Sequence, residues 1–93
     1  MIVFVEHFLN EKGVVYFPDW IREIQRVLEK YDGFQSIQQL KDIQNDQRCL
    51  LLLHFENLEL LRNWAKSDDH DQMIAKLAQY RFQKQASQIL EVI

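Results

Sequence analysis

Two short segments, Ile2–Leu9 and Arg48–Phe55, carry apolar side chains on both of their alternating sets of positions. The first sets Val3, Val5 and Leu9 against Ile2, Phe4 and Phe8; the second sets Leu51, Leu53 and Phe55 against Leu50 and Leu52. Runs this short, rich in β-branched and aromatic residues, read as strands. Apolar side chains on both faces place them at the centre of a sheet that is covered twice. The segments Phe34–Ile43 and Phe82–Ile93 are more polar, with Gln35, Gln38, Gln39 and Lys41 in one and Gln83, Lys84, Gln85 and Gln88 in the other. Polar strands belong at edges, where unpaired backbone meets water.

Helical patterns fill the gaps. Asn10-Glu11-Lys12-Gly13 reads as a turn, with Val14–Phe17 extended behind it. Pro18 then suits the first turn of a helix, where a missing N–H costs nothing. Trp20, Ile24, Val27 and Tyr31 follow at helical spacing, and Asp32-Gly33 closes the helix with a glycine free to turn left-handed. Gln44–Gln47 is a hairpin turn. Asn57 caps a helix running from Leu58 to about Lys66; Ser67-Asp68-Asp69 breaks it, with Asp68 and Asp71 resembling a capping box. Met73, Ile74, Leu77 and Ala78 mark a last helix. The order is β-α-β-β-α-β, an α+β ferredoxin-like antiparallel sheet with strand order 4-1-3-2, built as a single domain over residues 1–93.

Helices cover one face of such a sheet, and a bare apolar second face exceeds what soluble monomers expose. A chain of 93 residues also buries a modest core. Cys49 is the one cysteine, so no disulfide within the chain compensates, and three scattered histidines show no zinc spacing. The expected cover is therefore a second copy of the chain, in a two-fold contact. A net charge of -3 gives no footprint for nucleic acid or an anionic membrane. No basic region followed by a long apolar run opens the chain, and the lone cysteine fits a reducing compartment, so the sequence reads as cytoplasmic.

Three motifs carry a resemblance that spans nearly the whole chain. They are Phe17-x-x-Trp20, Asp32-Gly33-Phe34, and Phe55-x-x-x-x-x-Leu61-x-x-Trp64-x-x-Ser67-x-x-His70. Together they resemble the antibiotic biosynthesis monooxygenase (ABM) family of dimeric α/β barrels. The resemblance implies a homodimer whose two sheets form a barrel, with a pocket in each subunit between helices and sheet. Some members oxidise quinols or polycyclic aromatics with oxygen and no bound cofactor, some degrade haem, and many have no known activity. It implies here a cofactor-free oxidation of a small aromatic or quinol-type substrate. The other reading is a non-catalytic small-molecule-binding or stress-related protein on the same barrel.

The resemblance makes Trp64 the substrate-stacking residue; a structural tryptophan packing its helix onto the sheet gives the same pattern. Phe4 and Leu52 join it as apolar lining. His7, His54 and His70 are the candidate bases, since imidazole changes charge near neutral pH. His7 stands where haem-degrading relatives carry asparagine, and His70 where oxygenases tend to carry tyrosine. Leu60 takes the place of an asparagine one turn before the tryptophan. Ile74 stands where a haem ligand would be. If the faces holding His7 and His54 coincide, the two imidazoles line one cavity; otherwise they are strand-end groups satisfied by solvent or backbone. Cys49 reads as an inert buried thiol.

Overall fold

The computed structural model describes residues 1–93, and its architecture follows from how the two apolar segments are covered. They form β1 (Ile2–Leu9) and β3 (Arg48–Phe55), which pair antiparallel at the centre of a four-stranded sheet. The edges are β2 (Phe34–Lys41), beside β3, and β4 (Arg81–Leu90), beside β1, giving the order β2-β3-β1-β4. This is the ferredoxin-like arrangement expected from strand polarity.

All helices lie on one face. They are α1 (Glu11–Leu28), α2 (Leu58–Ala65) and α3 (Asp68–Ala75), followed by a 3-10 turn at Ala78–Tyr80. The core joins Val3, Leu51, Leu53 and Phe55 of the sheet to Phe17, Trp20, Ile24, Leu28, Leu61, Trp64 and Met73 of the helices. A buried hydrogen bond from Trp20 Nε1 to the Met73 carbonyl, 2.8 Å long, ties α1 to α3.

The other face holds Ile2, Phe4, Phe8, Leu50 and Leu52, and no helix covers it. Phe82 and Leu90 extend it across β4, through an edge contact between Phe82 and Phe8 and the pairing of Leu90 with Ile2. Arg48 crosses it, paired with Glu6 and Asp42 and lying 5.8 Å over the Phe4 ring.

The helix boundaries differ from expectation at three places. Residues 10–17 are neither turn nor extended chain: α1 begins at Glu11, with the Asn10 side chain accepting the Gly13 N–H at 3.0 Å as an N-cap. Pro18 thus lies well inside the helix. A proline there removes one hydrogen bond and costs roughly 3 kcal/mol. The burial of Phe17 and Trp20 on either side, stacked with centroids 5.6 Å apart, offsets that cost. The helix also ends at Leu28, earlier than the Asp32-Gly33 stop, and Gly33 takes a left-handed φ of 83° in the turn that follows. Third, Ser67 caps α3, accepting the His70 N–H at 3.1 Å, so Asp68 is the first helical residue and no capping box pairs it with Asp71.

Gly13 breaks nothing because its role is to let the chain pass close. A Cβ there would sit 2.6 Å from Tyr80 Cβ and 2.8 Å from Leu9 Cβ. Gly13→Ala should therefore lower stability by about 1–3 kcal/mol despite alanine's better helix propensity, as measured by urea unfolding. An unchanged or raised midpoint would show that the helix can move away from the sheet at little cost.

Candidate active site

Alternation along β1 sends Val3, Val5 and His7 towards the helices, and alternation along β3 does the same for Leu51 and Leu53. Above them Trp20 and Ile24 come from α1, Leu61 and Trp64 from α2, and His70 and Ile74 from α3. Gln85, Ser87 and Ile89 of β4 close one side. These residues enclose a predominantly apolar cavity of about 160 Å³. A larger groove of about 380 Å³ between α1 and the β2–β3 connection is lined by Lys41, Asp42, Asn45, Asp46 and Arg48 among others. It holds none of the unpaired buried polar atoms found around the smaller cavity.

His7 is the polar centre of that cavity. It is wholly buried, yet neither ring nitrogen has a hydrogen-bond partner. Its neighbours are aromatic, with Trp20 edge-on at 5.4 Å and Phe17 at 6.0 Å. Burial, then the positive Arg81, then His70, pull its pKa down from 6.5 to about 4, so the ring is neutral at physiological pH. The β1–β4 register shifts between Glu6 and Phe8, a step of two residues in β1 against three in β4, so a β-bulge in β4 lies opposite His7. Bulges re-aim side chains and are common beside active sites. Two more buried atoms around it lack partners: Gln85 Oε1 and Arg81 Nε.

Trp64 is buried between two rings, meeting Tyr31 edge-on at 5.0 Å and His70 at 5.4 Å. Ser67 sets this corner by donating from Oγ to the Trp64 carbonyl at 2.7 Å while capping the helix that carries His70. The His70 side chain keeps 27% of its surface exposed, so it stands at the mouth where His7 stands at the floor. Its Nδ1 lies 3.2 Å from Asp71 Oδ1. A carboxylate only accepts, so Nδ1 carries the hydrogen, and in the neutral ring Nε2 then keeps the lone pair.

Of the residues singled out in the sequence, the cavity brings together His7, His70 and Trp64. It does not include His54, Phe4 or Leu52. The pairing of Ile2 with His54 and of Phe4 with Leu52 puts all three on the uncovered face of the sheet. His7 pairs with Cys49 instead, whose parity along β3 is opposite to that of His54. The two imidazoles thus lie on opposite sides of the sheet and share no cavity. Leu60 also lies outside the cavity, its side chain against Gly33, whereas Ile74 lines it and offers no ligand atom. Cys49 is buried, and burial pushes its thiol up to about 11, as an inert cysteine should be.

Gln85 and Arg81 are the site residues that sequence patterning passes over. Both sit in an edge strand whose polarity reads as ordinary solvent contact. Gln85 shares its parity along β4 with Ser87 and Ile89, which line the same cavity, and the register with β1 is what sets that parity towards the helices.

Fold and site together define a ferredoxin-like α+β protein with a helix-roofed apolar cavity bearing a buried neutral histidine. The family model described as antibiotic biosynthesis monooxygenase matches residues 4–76, and the chain belongs to that family. No curated protein sequence matches it. Among solved structures, one described as an antibiotic biosynthesis monooxygenase superposes with a TM-score of 0.82 at 8% identity, over 100% of this chain and 99% of that one. The protein Rv0793 from Mycobacterium tuberculosis gives 0.83 at 11% identity, over 99% and 93%. A conserved protein from Methanosarcina mazei Go1 gives 0.82 at 13% identity, over 94% and 86%. At these identities the likeness is one of fold. No helix of the chain is long and apolar enough to cross a membrane.

Proposed function

We propose that this protein is a monooxygenase that oxidises a small aromatic or quinol-type substrate in the cavity between sheet and helices, with the substrate supplying all the electrons. The observation that carries this reading is His7, fully buried in an apolar, aromatic-lined space with both nitrogens unpaired. Buried polar groups are ordinarily satisfied within the protein, and one left open in a cavity is a site for a polar group of a ligand.

The residues divide the work by position. Trp64 presents a rigid ring to a planar substrate. His70, held by Asp71 at the mouth, takes the hydroxyl proton on Nε2, a general-base step worth roughly 10²–10⁴ in rate. His7 stays neutral and hydrogen-bonds the substrate. The Arg81 charge, which disfavours a proton on His7, favours negative charge on the substrate by the same Coulombic effect. The resulting anion passes an electron to oxygen, and the radical pair joins as a new C–O bond. One oxygen atom stays on the ring as a hydroxyl where a C–H stood, the two original hydroxyls become carbonyls, and the other oxygen atom leaves as water with the two hydrogens lost overall. A hydroquinone and one O₂ thus give a hydroxyquinone and one H₂O.

We propose also that a second copy of the chain covers the face holding Phe4 and Leu52, as a homodimer. The support is the apolar character of that face and the absence of any helix over it.

Oxygen uptake with quinols and hydroxylated aromatics tests the activity. Uptake should scale with protein. It should fall roughly a hundredfold in kcat for His70→Ala, while Trp64→Ala should chiefly raise KM. Flat traces with every substrate, alongside ligand-induced rises in melting temperature, would reject oxidation in favour of a ligand-binding barrel.

A further inference from the structure

We propose that Trp64 and Tyr31 form a relay that carries an oxidising equivalent out of the cavity to the protein surface, Tyr31 passing an electron to an oxidised Trp64 and its phenolic proton to Asp69. The proposal rests on the cavity being a place of oxygen chemistry, and it adds a protective route that the oxidation itself does not need.

The relay follows one line of contacts. Trp64 lines the cavity and is itself buried. Two rings stand edge-on to it, His70 of the cavity wall at 5.4 Å and Tyr31 at 5.0 Å. Tyr31 is half-buried and lines a separate pocket with Lys30, Asp32, Leu60 and Asn63. Its hydroxyl donates to Oδ2 of Asp69 at 2.9 Å, and Asp69 is exposed. The line therefore runs from the cavity through an indole and a phenol to a carboxylate in water.

Chemistry gives the line its direction. Loss of an electron from an indole leaves a radical cation. A phenol in contact with it gives up an electron readily when its proton can leave at the same time, and the Asp69 carboxylate already accepts the hydrogen bond of that proton. The step balances: the Trp64 radical cation, the Tyr31 phenol and the Asp69 carboxylate become neutral Trp64, a Tyr31 phenoxyl radical and a protonated Asp69. The initial oxidant is an oxygen-centred radical from a peroxide whose O–O bond breaks in the cavity. It takes one electron from Trp64 and one proton from water, and leaves as a hydroxyl compound. A thiol or ascorbate in solution returns a hydrogen atom to Tyr31, and Asp69 releases its proton to water.

The other tryptophan lacks these parts. Trp20 meets His7 at 5.4 Å and Phe17 at 5.6 Å, rings that an oxidised indole does not oxidise, and its N–H is bound to the Met73 carbonyl. Trp20 is thus a control within the same molecule.

The test is laser-flash photo-ionisation of the whole chain, which removes an electron from tryptophan directly and needs no substrate. In the unsubstituted chain the tryptophanyl absorption should fall in part, the share of Trp64, as tyrosyl absorption rises. Tyr31→Phe keeps a ring against Trp64 and removes only the hydroxyl, and it should abolish the rise. Trp64→Phe should abolish it too, and Asp69→Asn should slow it several-fold. Steady illumination in air with ascorbate present should leave several-fold more oxygen added at Trp64 in Tyr31→Phe, by peptide mapping, with Trp20 unchanged. No tyrosyl rise in the unsubstituted chain, an undiminished rise in either phenylalanine variant, an unslowed rise in Asp69→Asn, or equal damage at Trp64 with and without the hydroxyl would overturn the proposal. These outcomes are separate from the oxidation of a quinol. A relay that runs under the laser in a chain that takes up no oxygen rejects that activity alone, and oxygen uptake by a chain with no tyrosyl rise rejects the relay alone.

Discussion

A Leu52→Asp chain should sediment as a monomer at concentrations where the unsubstituted chain sediments as a dimer, with the dissociation constant raised roughly a thousandfold or more, about 4 kcal/mol. Leu52 lies in the central strand β3, opposite Phe4 of β1 and Gln38 of β2, on the face no helix covers. In an isologous contact each substitution appears twice, so two carboxylates are buried against apolar surface. The ladder hydrogen bonds use backbone atoms only, and the helix-facing core on the other side is untouched, so the monomer should keep its far-ultraviolet circular dichroism. Folding and association would be linked in the unsubstituted protein, whose melting temperature should therefore rise with concentration. A monomeric mass for the unsubstituted chain at tens of micromolar, with a melting temperature independent of concentration, would remove the dimer.

The same sheet shows how far the sequence could be read. Strand order was legible because side chains alternate with a period of two, so the double apolar pattern of Ile2–Leu9 and Arg48–Phe55 marks them as central without any knowledge of their partners. Trp64 and His70 were legible as a pair only through the Trp64-x-x-Ser67-x-x-His70 motif that carries the family resemblance, and the caps at Ser67 bring both to one bend. What alternation alone does not tell is which parity of one strand matches which parity of another. That is a matter of register, and the register sets His7 opposite Cys49 rather than on the face of His54. Gly13 and Pro18 mislead for a different reason. Both are local breakers, and both are overruled by contacts from afar: Tyr80 against Gly13, and the buried Phe17 and Trp20 around Pro18. Gln85 lies beyond local reading for the same reason as the histidines: it shares its parity with Ser87 and Ile89, and in a polar edge strand only the register with β1 tells which parity faces the helices.

The unpaired histidine has a thermodynamic signature that needs no substrate. In the folded chain burial, Arg81 and His70 hold the His7 pKa at about 4, against 6.5 when solvated. The unfolded chain therefore binds a proton first as pH falls, and stability must rise with pH across the interval between the two values. Above pH 6.5 neither state is protonated at this position and His7 contributes no slope. Between 6.5 and 4 the folded state loses ground steadily, reaching roughly 3 kcal/mol at the lower end. Carboxylates such as Glu23 and Asp42, whose pKa values are lowered by hydrogen bonds to Lys76 and to the Gln44 backbone respectively, add slopes of the same sign at lower pH. The His7 share is isolated by comparison with His7→Leu. Urea unfolding of both chains at intervals from pH 8 to pH 4 should give curves that run parallel above pH 6.5 and diverge below it, the leucine chain gaining roughly 3 kcal/mol relative to the histidine chain by pH 4. Curves that stay parallel throughout would mean that His7 takes up its proton as easily folded as unfolded. The floor of the cavity would then be wet or paired, and the case for a ligand hydroxyl at that place would go with it.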